Sequence, residues 1–501
     1  MGEATFLIYV AAVVAIGIKS KAKTLETFIL GDALGARAMV ATVVSTFYGA
    51  SAILGGVSLT YQMGLGVLWF MVPFYLGNVA VVLLVRRIAG SKSYTLPDFL
   101  GGFYGKGFAV ASSILLATLC LVPEEIIAGG KILSLFTSMP VEAAMAVMAF
   151  VLVVPVFMGG MRADVMTDAA QFVLMLLMLG LMVPFVLGLG PDLASSVPAG
   201  HLRPCSAMTA QEIAVFFVSL FFLPLTSAPL YQRLFASRSE IGARRSVLIS
   251  IAIWMAVDAI IVLCGFAALS MFPDLQDPDT SFIRLATALP GVGRVVFFVG
   301  LLAAIMSTVN SFLQSGASSL AYDVFRHWRP QAGEGRLLAL SRVFVVVLGL
   351  LSLSLALWFE MIVPALLFTL SMWTAGMLVP TLAALLGWSL RNRTALYSLL
   401  GGALSCLIWR LWQPLEVDAL FVGLGISLLV ALLADIADID HASGDIADVG
   451  RASGASGDIG RASADVDCAS ADVDALPVGS APSPSSSQGE GRGGDLERRQ
   501  G

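Results

Sequence analysis

Long apolar stretches alternate with short polar ones from near the first residue to about residue 434. Stretches wide enough to cross a bilayer recur about thirteen times, at 4–18, 38–61, 65–85, 107–135, 140–158, 165–188, 211–230, 246–271, 293–320, 337–358, 361–387, 395–412 and 417–434. The first is short and reaches full width by tilting or by snorkelling of its flanks. The pattern predicts an all-α polytopic membrane protein with about thirteen transmembrane helices.

Two spans do not read as ordinary helices. The second carries Ser45, Thr46, Gly49, Ser51, Gly55 and Gly56, and the seventh ends with Pro224 and Pro229 bracketing Thr226 and Ser227. Glycine- or proline-broken spans at corresponding places in two halves point to a transporter's binding site, the halves here being spans two to six and seven to eleven. The plainer alternative is that the glycines only let helices pack closely. The ninth span starts apolar and then fills with Ser307, Thr308, Ser311, Ser315, Ser318 and Ser319. Lipid does not reward hydroxyls, so these face other helices or an ion. Ala304, Ser307 and Thr308 fall at i, i+3 and i+4 on one stripe, and two hydroxyls with one carbonyl make half a shell for a small hard cation. Back-bonding to the preceding turn or helix–helix glue would use the same residues.

Composition narrows the class. Of 501 residues 58% are hydrophobic and 13% charged, with mean hydropathy +0.89. The net charge of −5 owes much to an acidic C-terminal tail. His201, His327 and His441 lie outside the apolar spans, and Cys120, Cys205, Cys264, Cys406 and Cys468 have no metal or framework spacing. No nucleophile elbow or phosphate loop is present, so the chain is not read as an enzyme and no cofactor or nucleic acid is implied. One set of loops carries Lys19, Lys21, Lys23, Arg37, Arg86, Arg87, Lys92, Lys106, Arg162, Arg233, Arg238, Arg244, Arg245, Arg326, Arg329, Arg336, Arg391 and Arg393; the other has little beyond Arg203, Arg284, Arg294 and Arg410. That asymmetry predicts a multi-pass protein of the plasma (inner) membrane, N-terminus outside and C-terminus cytoplasmic, with no cleavable signal. Residues 435–501 are rich in degenerate Ala-Ser-Gly-Asp-Ile repeats and poor in large apolar side chains, and are expected to be disordered.

Three charges inside the fourth span stand out: Glu124, Glu125 and Lys131. An intramembrane charge costs at least ~2.5–3.5 kcal/mol on insertion scales, which makes such residues functional candidates. They are candidates for the solute cavity or a protonatable gate; alternatively Lys131 snorkels and the carboxylates are held by neighbouring helices. Asp258, midway along the eighth span, has no partner visible in the sequence.

Four stretches give the chain a family likeness: Phe28-Ile-Leu-Gly-Asp32, Gly159-Gly-Met-Arg-Ala-Asp-Val-Met-Thr-Asp-Ala-Ala-Gln171, Tyr231-Gln-Arg-Leu-Phe-Ala-Ser-Arg238 and Ala303-Ala-Ile-Met-Ser-Thr308. With these it resembles the sodium:solute symporter family, over roughly residues 20 to 430. The resemblance implies a leucine-transporter-like core of two inverted five-helix repeats, about 38–188 and 211–387, in a transmembrane domain of residues 1–434. It also implies a sodium site formed by carbonyls of Ser45, Tyr48 and Ala304 and hydroxyls of Ser307 and Thr308, with Asp168 on the ion's path to the cytoplasm. Read from position alone, Asp168 and Asp164 would instead cap a helix start. Phe47 and Gly49 stand where some members carry an acid near the ion, and Val309-Asn310-Ser311 replaces the common Ala-Asp-Ser.

These readings converge on a sodium-coupled symporter that imports a small organic solute by alternating access. The solute is expected near Ser51, Glu124, Glu125 and Trp254. The rivals are proton coupling through Glu124 or Glu125, and a transporter-like sensor; neither the solute nor the oligomeric state is legible.

Overall fold

A computed structural model describes residues 2–433 except 21, 32, 92, 191–196, 206–207 and 414; the expected disordered tail from 435 lies outside the described residues. Helices fill every predicted apolar stretch. In chain order they are α1 (Gly2–Lys19), α2 (Leu25–Ile29), α3 (Ala36–Phe47), α4 (Ala50–Met63), α5 (Leu68–Ala89), α6 (Leu96–Tyr104), α7 (Lys106–Leu119), α8 (Pro123–Thr137), α9 (Val141–Leu187), α10 (Ala210–Thr226), α11 (Ala228–Phe235), α12 (Glu240–Met271), α13 (Ser281–Thr287), α14 (Gly291–Ser319), α15 (Glu334–Ala356), α16 (Ile362–Leu386), α17 (Asn392–Trp412) and α18 (Ala419–Leu433). Among the described residues nine helical stretches are long and apolar enough to cross a membrane, with shorter apolar helices in α1, α3 and α18.

The breaks decide how these helices are used. α3 ends at Tyr48 (φ −109°, ψ 57°) and α4 begins after Gly49, so the second span is two half-helices. α10 ends at Ser227 (φ −80°, ψ 108°), and α11 restarts with a proline in its first turn, where the missing N–H costs nothing. α9 is two predicted spans hinged at Gly160 (φ 59°, ψ −159°), a conformation open to glycine, where a Cβ would also strike the Phe28 ring. The fourth span, expected unbroken over 107–135, is interrupted between Leu119 and Pro123. Pro123 disfavours helix at the residue before it, and Val122 sits at φ −121°, ψ 58°.

α3 packs against α9, α12 and α14, and the largest helix contact in the molecule is α14 against α9. Around this centre α1 lies on α9, and α17 on α16 and α7. Large apolar side chains such as Leu83, Phe150, Leu350 and Leu411 are exposed, while the hydroxyls of Ser307, Thr308, Ser311, Ser315, Ser318 and Ser319 are buried. That distribution suits a lipid exterior and a polar centre, because packing in lipid gains nothing from hiding leucine.

Candidate functional site

Breaking a helix frees its last carbonyls and first N–H groups, and the α3–α4 break uses both. On the carbonyl side, the Thr308 hydroxyl on α14 lies 3.3 Å from the Ser45 carbonyl and 3.4 Å from the Ala304 carbonyl, donating toward each. Ser307, on the same stripe, donates from its hydroxyl to Asp168 at 2.5 Å. Tyr48 stands at the break, its ring stacked on Trp254 with centroids 6.0 Å apart. On the N–H side, the Ala50 amide donates to both oxygens of Glu125, at 2.9 and 2.7 Å. Glu125 lies in the first turn of α8, so one carboxylate serves the positive ends of two half-helices. A Cβ on Gly49 would strike both the Glu125 carboxylate and the Thr308 hydroxyl, so the two close in on the same point of one glycine.

One step toward the chain's basic loops, α14 meets a buried arginine. Arg233, on α11, is fully buried and donates to Thr42 (2.9 Å), Asp164 (2.9 Å), Asp168 (3.4 Å), Ser311 (2.6 Å) and the Pro229 carbonyl (3.1 Å). Thr42 in turn donates to Asp168, and Ser311 to Asp164. The guanidinium thus joins α3, α9, α11 and α14 in one network. Two expectations change here. Arg233, counted with the loop charges, is an interior residue; Asp164 and Asp168, which position alone offered as helix caps, are its partners.

On the other side of the break lies a cavity between α3, α4, α5, α7, α8, α10, α12, α14 and α16. Phe47, Phe74 and Phe312 form much of its apolar wall, Phe47 lying 5.3 Å from Phe74 and 6.4 Å from Phe312 between centroids. Ser51, Thr308, Glu124 and Asp258 supply polar lining. The Tyr75 hydroxyl donates to Asp258, whereas Oε2 of Glu124, a residue 4% exposed, has no partner. Of the residues expected at the solute, Ser51 and Glu124 line this cavity; Glu125 is turned to Ala50, and Trp254, fully buried, backs Tyr48 and Phe74 instead of facing the space. Beyond the cavity, away from the basic loops, Lys131 pairs with Asp277 (2.8 Å) and Asp279 (3.2 Å), and Asp279 accepts the Ile362 amide at 2.9 Å. The lysine does not snorkel to solvent; it clasps the segment after α12 to α8 and the start of α16.

Residues 28–402 match the sodium:solute symporter family. The chain belongs to that family. Among curated relatives of this symporter are a sodium/pantothenate symporter of Escherichia coli (26% identical over 382 residues, 70% of this chain and 77% of that one) and a sodium/proline symporter of Haemophilus influenzae (26% over 392 residues, 70% and 76%). Among solved structures, a sodium-coupled sialic acid symporter in a substrate-bound outward-open state superposes with TM-score 0.72 at 14% identity, covering 86% of this chain and 97% of that one. A nucleobase-cation-symport-1 transporter in a closed conformation superposes with TM-score 0.55 at 13% identity, covering 85% and 94%. The fold is thus the expected leucine-transporter one, and the protein is a sodium-coupled solute symporter working by alternating access, not an enzyme. Sequence reasoning missed Thr42, Arg233 and Ser311 as a group and the phenylalanine wall, since nothing in their spacing links four separate helices.

Proposed function

We propose that this symporter imports a small organic solute on sodium held where α3 meets α14, by the carbonyls of Ser45, Tyr48 and Ala304 and the hydroxyls of Ser307 and Thr308. The observation that carries this reading is Thr308: one hydroxyl reaches the Ser45 carbonyl of a broken helix and the Ala304 carbonyl of an intact one. Three carbonyls and two hydroxyls, with no nitrogen or sulfur donor among them, suit a hard monovalent cation. Sodium there replaces the weak Thr308 hydrogen bonds with ion–oxygen contacts and ties α3 to α14. Ser307 serves twice, its proton directed to Asp168 and its lone pairs available to the ion.

Coupling follows from shared residues. Tyr48 and Thr308 belong both to the ion shell and to the solute cavity, so filling one shapes the other. Release proceeds past Asp168 toward the basic loops, which the charge rule assigns to the cytoplasm of a plasma (inner) membrane, with the N-terminus outside and the C-terminus inside. Each sodium ion carried inward contributes about 2.3 kcal/mol per 100 mV of membrane potential.

The test is sodium titration of solute uptake. A ligand to a charged partner is worth about 1.5–3 kcal/mol, so Ser307→Ala and Thr308→Ala are each expected to raise the half-saturating sodium concentration roughly ten- to a hundredfold. Parent-like sodium dependence in both variants would remove the site from α14.

A further inference from the structure

The solute cavity is charged in one sense only. Glu124 enters it from α8 and Asp258 from α12, and its lining among the described residues holds no lysine, arginine or histidine. Asp258 has the Tyr75 hydroxyl as a partner; Oε2 of Glu124 is buried and has none. A buried carboxylate oxygen left without a donor is costly, and the cost disappears when a ligand supplies an N–H and a positive charge. Much of the rest of the wall is apolar: leucines and Met71 suit a hydrocarbon body, and the rings of Phe47, Phe74 and Phe312 favour a cation's flank as well. A solute carboxylate would meet no cationic side chain on this lining and would add to the two acids already there, in a setting where like charges repel far more than in water.

We propose that the transported solute is a protonated amine with an apolar body, an alkyl- or arylalkylammonium, whose N–H groups bond Glu124 while its hydrocarbon lies against the phenylalanines. The inference rests on reading this cavity as the solute site of a sodium-driven importer. The unpartnered oxygen selects the subclass: it calls for a donor, which a protonated amine has and a quaternary ammonium lacks. Asp258, held by Tyr75, adds charge without needing a new partner.

The experiment uses the full chain in liposomes with an inward sodium gradient, replaced by potassium in the control so that no organic cation enters the comparison. Labelled phenethylamine, 3-phenylpropionate and 3-phenylpropanol share a body and differ in the head group. The expected result is sodium-dependent uptake of the amine at least tenfold above the carboxylate and the alcohol. Glu124→Gln is expected to lower amine affinity tenfold or more while the half-saturating sodium concentration stays within about twofold. Sodium-driven uptake that favours the carboxylate or the alcohol, or a folded Glu124→Gln variant with parent affinity for the amine, would overturn the cationic assignment and leave sodium import standing. If none of the three enters with sodium, a broader panel of sugars, amino acids and vitamins decides: sodium-driven uptake of one of those overturns the amine alone, and none at all overturns the importer reading with it. Should the variant fail to fold, the head-group preference of the unmodified protein decides by itself.

Discussion

Glu124 and Glu125 are neighbours in sequence with opposite surroundings. Both sit in the first turn of α8, one turned into the cavity and the other bonded through both oxygens to the Ala50 amide. The sequence shows that two acids lie in the membrane but not which way each points, because that depends on the break at 120–122 and on where α4 begins. Glu125 meets Gly49 together with Thr308, so its carboxylate stands beside the proposed ion shell. Glu125→Gln keeps an acceptor for Ala50 and removes the charge. The expected outcome is a half-saturating sodium concentration raised about three- to tenfold, a change of ~0.7–1.4 kcal/mol, with solute affinity at saturating sodium little altered. Sodium titration of uptake checks this, and an unchanged midpoint would assign Glu125 to helix capping alone.

At the scale of elements, breaks were legible where glycine or paired prolines interrupt a polar run, as at Gly49 and between Pro224 and Pro229. The break before Pro123 is not legible from hydropathy, because the apolar run continues through the proline and hydropathy carries no dihedral information. Lys131 shows the same limit. Its partners Asp277 and Asp279 lie about 150 residues away in the segment after α12, a pairing no local pattern announces. Asp279 is 1% exposed, so Lys131→Met leaves a buried carboxylate with only the Ile362 amide. Breaking one side of a buried pair costs about 3–5 kcal/mol, more than removing both. Lys131→Met is therefore expected to lower the thermal unfolding midpoint in detergent, and the double variant with Asp279→Asn to recover much of the loss. Equal losses in single and double variants would mean that the clasp adds no stability through its charges.

For the whole molecule, the apolar rhythm was enough to lay out the spans, since lipid forces every backbone group into a helix. What rhythm cannot supply is how far one half has turned against the other, and here Arg233 is informative. It contacts Thr42 on α3, both aspartates on α9 and Ser311 on α14, so the four elements are shut together at the basic end. Alternating access requires this end to open, which separates the guanidinium from at least some of these partners. Asp168 is shared between that network and Ser307 of the proposed ion shell, so loss of sodium loosens the closure from within. Arg233→Gln removes the charge and the fork that tie α9 to α3, α11 and α14 and leaves the two buried carboxylates of α9 without their cation, which loosens the basic end. Hydrogen–deuterium exchange reads the result directly. In the parent, sodium is expected to slow exchange in peptides covering 36–47 and 228–235 relative to potassium. In Arg233→Gln those peptides are expected to exchange at least threefold faster in either ion, while peptides around Lys131 are unchanged. Parent-like protection with sodium in the variant would show that the ion shell closes this end without the arginine, and the proposed link through Asp168 would be wrong.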